Sequence, residues 1–156
     1  MRVRALGHPV HPMLVVFPLG LFVTAVIFDA IDRLGGSATF GQVGFWNIGA
    51  GLIGAVLAAS AGWIDWTGIP TGTRAKRIGL VHGTINGFVT VLFLVAFLVR
   101  LNADSRSVSW PIMVLELIAL AASGVAAWFG GELVDRLGVG VDHDASVDAS
   151  SSLARK

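Results

Sequence analysis

The sequence predicts an all-α fold, a four-helix transmembrane bundle built from two parallel-repeated helical hairpins. Three observations predict it. The 156 residues are 54% hydrophobic and only 13% charged, about half the charged share of a soluble domain, and the mean hydropathy is +0.77. Lys, Arg, Asp and Glu bracket four long apolar stretches, and the two halves of the chain align with each other. So few charges cannot cover a water-soluble surface, which excludes a soluble enzyme and a disordered chain. A net charge of +1 gives no reason to expect nucleic acid as a partner, and the absence of cysteine excludes disulfides, thiolate metal sites and cysteine nucleophiles.

No such charge occurs from Ala5 to Phe28, from Leu34 to Ile64 or from Ile78 to Val99, and from Ser107 to Gly131 Glu116 stands alone. A spanning helix needs about 20 mostly apolar residues, so each stretch supplies one. The spans are placed near 12–30, 45–66, 78–101 and 111–134, within a transmembrane domain of residues 1–141. The second stretch gains a glycine-rich lead-in (Gly35, Gly36, Gly41, Gly44). No stretch alternates with the period of a barrel strand. Residues 142–156 lack apolar periodicity and are expected to be a disordered cytoplasmic tail, its Asp142-His143-Asp144 solvated.

Basic residues set the orientation. Arg2, Arg4, Arg74, Lys76, Arg77, Arg136, Arg155 and Lys156 fall on one side, against Arg33, Arg100 and Arg106 on the other. Both termini are therefore expected in the cytoplasm, the location being the bacterial inner membrane. The first span is read as retained, because its apolar core is longer than that of a signal peptide and no small-residue cleavage site follows.

Placing His11 on His82 also pairs Phe17 with Phe88, Phe22 with Phe93, Ala25 with Ala96 and Asp29 with Arg100. Helices 2 and 4 align by setting Trp63 on Trp128. Small residues recur every fourth position in Gly51, Ala55, Ala59, in Gly54, Ala58, Gly62 and in Ala122, Ala126, Gly130. Such grooves let helix backbones approach closely, either within the chain or in a homo-oligomer. Pro18 should adjust the packing of the first helix. Gly49-x-Gly51-x-x-Gly54 imitates a dinucleotide fingerprint without its strand or acidic partner, and is discounted.

Polar residues gather toward the expected cytoplasmic side: His8 and His11 at the start of helix 1, Asp65 at the end of helix 2, His82 and Asn86 in helix 3, Glu132 at the end of helix 4. Ionisable groups are expensive in a membrane and default to functional candidates. Pro9 and Pro12 fix the helix entry that carries both N-terminal histidines. His82, Asn86 and Thr90 form one stripe at i, i+4, i+8. Glu116, two turns inside the opposite end of helix 4, is open to snorkelling, to bridging helices or to carrying protons.

The run Gly7-His8-Pro9-Val10-His11-Pro12, with Phe17-Pro18-Leu19-Gly20 after it, resembles the opening signature of a bacterial four-span predicted membrane protein family of unknown function. Asp65-Trp66, Arg77 with His82 and Asn86, and Gly130-Gly131-Glu132-Leu133-Val134 support the resemblance, which covers nearly residues 5–141. It implies a fold and a membrane location but no reaction. Relatives joined to Rieske-type iron–sulfur domains imply proximity to electron transfer.

Three readings stand side by side. One is an accessory or stabilising component of a larger membrane assembly, with no catalytic constellation and no enzymatic activity of its own. Another is a haem b redox module with His11 and His82 as axial ligands and Arg74, Lys76 and Arg77 near the propionates. The third is a divalent-metal or proton-handling site built from His8, His11, His82 and Asp65, with Asn86, Glu132 and Arg77 in support.

Overall fold

The computed structural model describes residues 3–154. Its frame is four helices: α1 (Val10–Arg33), α2 (Ala38–Thr67), α3 (Arg74–Arg100) and α4 (Trp110–Gly131), the last continued by a π-helical turn over Glu132–Arg136. Each is long and apolar enough to cross a membrane, with stretches of mean hydropathy 2.4, 1.6, 1.9 and 2.0 in chain order.

The chain enters through a small hairpin, β1 (Arg4–Ala5) against β2 (His8–Pro9). Leu6 and Gly7 form its turn at φ 50° and 86°. Two consecutive positive φ angles match the right-handed twist of the flanking strands. This pairing is not legible from the residues, because two-residue strands carry no periodicity. Helix α1 starts at Val10, with extended Pro9 as its N-cap. Pro12 sits in the first turn, where a missing N–H costs no hydrogen bond. Pro18 is buried and packs against Gly54, where α1 and α2 approach too closely for a side chain.

Helix α2 starts at Ala38 rather than at Phe45. Ser37 caps it by accepting the Thr39 N–H, and the supposed lead-in is helical. Gly41 and Gly44 belong inside because their missing side chains make room for the carboxylates of Asp32 and Asp29. Thr73 caps α3 by accepting from the Lys76 N–H. Pro111 lies in the first turn of α4.

The helices run up, down, up, down, with α1 and α3 facing across the bundle while α2 and α4 flank them. Phe22 stacks on Phe93 at the centre of that diagonal, ring centroids 4.0 Å apart. Around them Ala25, Ile48, Val89, Ala96 and Ala119 close the core. Trp63 and Trp128 are exposed near one end, and Trp46 and Trp110 near the other, where amphipathic indoles sit at membrane–water interfaces. The described part of the tail touches the entry hairpin: Arg4 pairs with Asp142 at 2.6 Å, and the Ser152 hydroxyl donates to the Leu6 carbonyl.

Candidate functional site

His11 and His82 meet across the α1–α3 diagonal, their ring centroids 6.3 Å apart and their planes at 87°. Each imidazole is held by its own hairpin. His11 Nδ1 lies 2.8 Å from the Ala58 carbonyl of α2, and His82 Nδ1 lies 2.9 Å from the Ala126 carbonyl of α4. A carbonyl only accepts, so Nδ1 carries the proton in both rings and Nε2 the lone pair. Asn86 donates to the His82 carbonyl at 2.9 Å and reaches His82 Nε2 at 3.3 Å. Both rings are half-buried.

Glycine makes these contacts possible. A Cβ at Gly62 would stand 2.8 Å from His11 Cε1, and one at Gly130 would stand 3.2 Å from His82 Cε1. The small-residue positions are thus seats for imidazoles as well as helix-packing surfaces.

The remaining sequence candidates lie elsewhere. His8 is exposed in the entry hairpin, with Nε2 3.3 Å from the Ser152 hydroxyl. Asp65 is buried, and its Oδ1 accepts the Val3 N–H at 3.0 Å. Glu132 pairs with Arg74 at 2.6 Å. Arg77 is exposed. Lys76 turns to Trp66, donating to its carbonyl at 2.7 Å and lying 3.7 Å from its ring centroid. His11, His82 and Asn86 therefore form one cluster, apart from His8. Among the described residues no group of three or more His, Asp or Glu stands close enough to hold a metal ion.

A second polar cluster, at the far end of the bundle, was missed. Arg100 of α3 grips Asp29 of α1 through two hydrogen bonds, of 2.6 and 2.7 Å. It also reaches Glu116 of α4 at 3.1 Å and the Gly41 carbonyl of α2 at 2.8 Å. The Arg106 carbonyl closes the fork from the α3–α4 loop. Arg100 is 1% exposed, and Asp29 and Glu116 are 0% exposed. By position in the sequence Asp29 and Arg100 are span-end charges. Their opposite signs at aligned positions were the available signal.

The fold and these clusters define a multi-pass helical membrane protein with paired polar sites at the two ends of one bundle. The chain belongs to the predicted membrane protein family DUF2231, whose model matches residues 7–143. Neither the curated proteins nor the solved structures contain a match to it.

Proposed function

We propose that the protein is a haem b module of the bacterial inner membrane, in which His11 and His82 would hold the haem. One observation carries the reading: both imidazoles have Nδ1 fixed on a backbone carbonyl, which leaves Nε2 as the ligating nitrogen. That is the tautomer and orientation metal-bound histidines adopt. Ligand count favours haem over a bare ion. Haem brings four nitrogens and asks the protein for two, whereas the metal alternative needs His8 and Asp65 beside the pair. When bound, haem would supply one-electron transfer. The chain's part is to hold the two rings, to exclude water with apolar helix faces, and to offer exposed Arg77 to the propionates. Asn86 then keeps its bond to the His82 carbonyl and yields Nε2.

The pairing of His11 with His82 and of Ala58 with Ala126 also supports a repeat of two parallel hairpins. In this reading both termini are cytoplasmic.

The same hydrogen bonds favour a second reading, an accessory subunit whose histidines merely join helices. An asparagine substitution separates the two, because its amide N–H approximates the position of Nδ1. The full chain is expressed with iron and haem precursor supplied, purified in detergent, and examined by absorption spectroscopy and metal analysis. The haem reading expects a Soret band in the wild type that His11→Asn and His82→Asn abolish while the bundle stays folded. A wild type without the band, co-purifying with a larger assembly, establishes the accessory reading instead.

A further inference from the structure

We infer that Asp29 and Glu116 form a proton-binding site beside Arg100, holding one proton between their carboxyl groups at neutral pH. This inference stands apart from the haem reading, which concerns the other end of the bundle about 27 Å away (18 residues at 1.5 Å each).

Two carboxyls and one guanidinium are sealed from solvent, so full ionisation would leave one uncompensated negative charge inside a membrane span. Such a charge is not tolerated without a partner, and neutralisation is its usual fate. Among the described residues no other cation makes up the difference. Arg106 donates to the Arg100 carbonyl rather than to either carboxylate. Arg33 donates to the Val108 carbonyl and lies over the Trp110 ring. Asp32, one turn beyond Asp29, adds another negative group, bound by the Ser107 hydroxyl. Helix α2 contributes no charged side chain at this end, only the Gly41 carbonyl.

The second observation locates the proton. Glu116 Oε1 faces Arg100, but Oε2 is buried and meets no donor among the described residues. The Asp29 carboxyl is its acidic neighbour, since Asp29 Oδ2 and Glu116 Oε1 both meet Arg100 Nη1, at 2.6 and 3.1 Å. Two carboxylates hydrogen-bond only when a proton lies between them. Asp29, already held twice by Arg100, keeps the charge, and Glu116 supplies the O–H. Gly44 is the recess that lets the Asp29 carboxyl sit here.

Solvent reaches the loop that covers Arg100. Ser105 and Arg106 hold left-handed backbone, each at φ 55°, which non-glycine residues adopt at a cost. This bent loop covers Arg100 on one side and on the other lines an open cavity of about 490 Å³, with Gln42 and Asn102. Proton exchange would pass through the loop.

The test is infrared spectroscopy of the full chain in detergent, in H₂O and D₂O at neutral pH. The expected spectrum contains a buried carboxylic-acid C=O band that shifts in D₂O and disappears in Glu116→Gln. The Glu116→Gln variant should unfold at the same temperature as the wild type, since a neutral side chain of the same shape replaces a neutral one. A wild type without the band overturns the inference. So does a band that survives Glu116→Gln, or a marked loss of heat stability in that variant, which would mark an ionised lock.

Discussion

Arg100 and Asp29, 71 residues apart in the chain, share a two-point ion pair inside the bundle, with Nη1–Oδ2 at 2.6 Å and Nη2–Oδ1 at 2.7 Å. The same separation brings Phe22 against Phe93 and His11 against His82. A polar pair, a stacked aromatic pair and a charged pair therefore succeed one another down a single diagonal. Lipid offers helices no hydrophobic reason to associate in one register rather than another. Directional contacts at both ends, with close packing between them, supply that register.

Arg100→Met should be the most damaging single substitution at the far end. It strands the Asp29 carboxylate in the bundle and removes the donor from the Gly41 and Arg106 carbonyls. Removing one partner of a buried pair costs about 3–5 kcal/mol. Arg100→Lys should recover only part of this, because an ammonium lacks the planar fork. Thermal unfolding in detergent should order the proteins wild type, Arg100→Lys, Arg100→Met. Equal midpoints would show that the pair contributes nothing to the fold.

Four glycines offer a contrast within one residue type. A Cβ at Gly44 would run into the Asp29 carboxyl, which Arg100 holds in place, and a Cβ at Gly62 would press on His11. Gly87 and Gly124 have no atom within 4 Å of the same position. Gly44→Ala and Gly62→Ala should therefore lower the unfolding temperature. Gly87→Ala and Gly124→Ala should leave it unchanged or raise it, since alanine is favoured over glycine in a helix interior by about 1 kcal/mol. Four similar outcomes would contradict the packing described.

The family and the four-span frame were legible because apolar length and charge placement report directly on burial in a membrane. The nearness of His11 to His82 was legible too, since histidine is rare inside spans. The match of Trp63 with Trp128 was less useful. Relative to the two imidazoles, Ala58 corresponds to Ala126 and Gly62 to Gly130, a different offset. Exposed tryptophans follow the membrane interface, whereas the histidines read the backbone packing. Asp29 and Arg100 went unrecognised as a pair because charges at span ends ordinarily face water. Which ones turn inward depends on the loop over them and on Gly41 and Gly44 opposite.

Lys76 and Trp66 close the α2–α3 turn reciprocally. The ammonium donates to the Trp66 carbonyl and lies over its ring, while the indole N–H donates to the Lys76 carbonyl at 3.0 Å. Lys76→Met keeps the aliphatic stem and removes the charge. A contact of this kind contributes about 0.5–2 kcal/mol, so the variant should stay folded while cleavage by a protease within residues 68–73 accelerates. An unchanged cleavage rate would mean the turn is held by its cap alone.

The proposed orientation, with both termini in the cytoplasm, rests on where the basic residues fall, and the bundle bears on that count. At the histidine end Arg74 is largely exposed even while it pairs with Glu132, and Arg77 is exposed. At the far end Arg100 is consumed by the buried pair and Arg33 is tied to the Val108 carbonyl. The positive charge available to hold a loop in the cytoplasm thus lies even more to one side than the sequence count. A fluorescent protein fused after residue 141 should fluoresce, and alkaline phosphatase at the same place should be inactive. Replacing Arg74, Lys76 and Arg77 together by Gln should weaken that preference, whereas replacing Arg33 should not. Active phosphatase on the unmodified chain would reverse the topology and put the histidine pair on the outer side of the membrane.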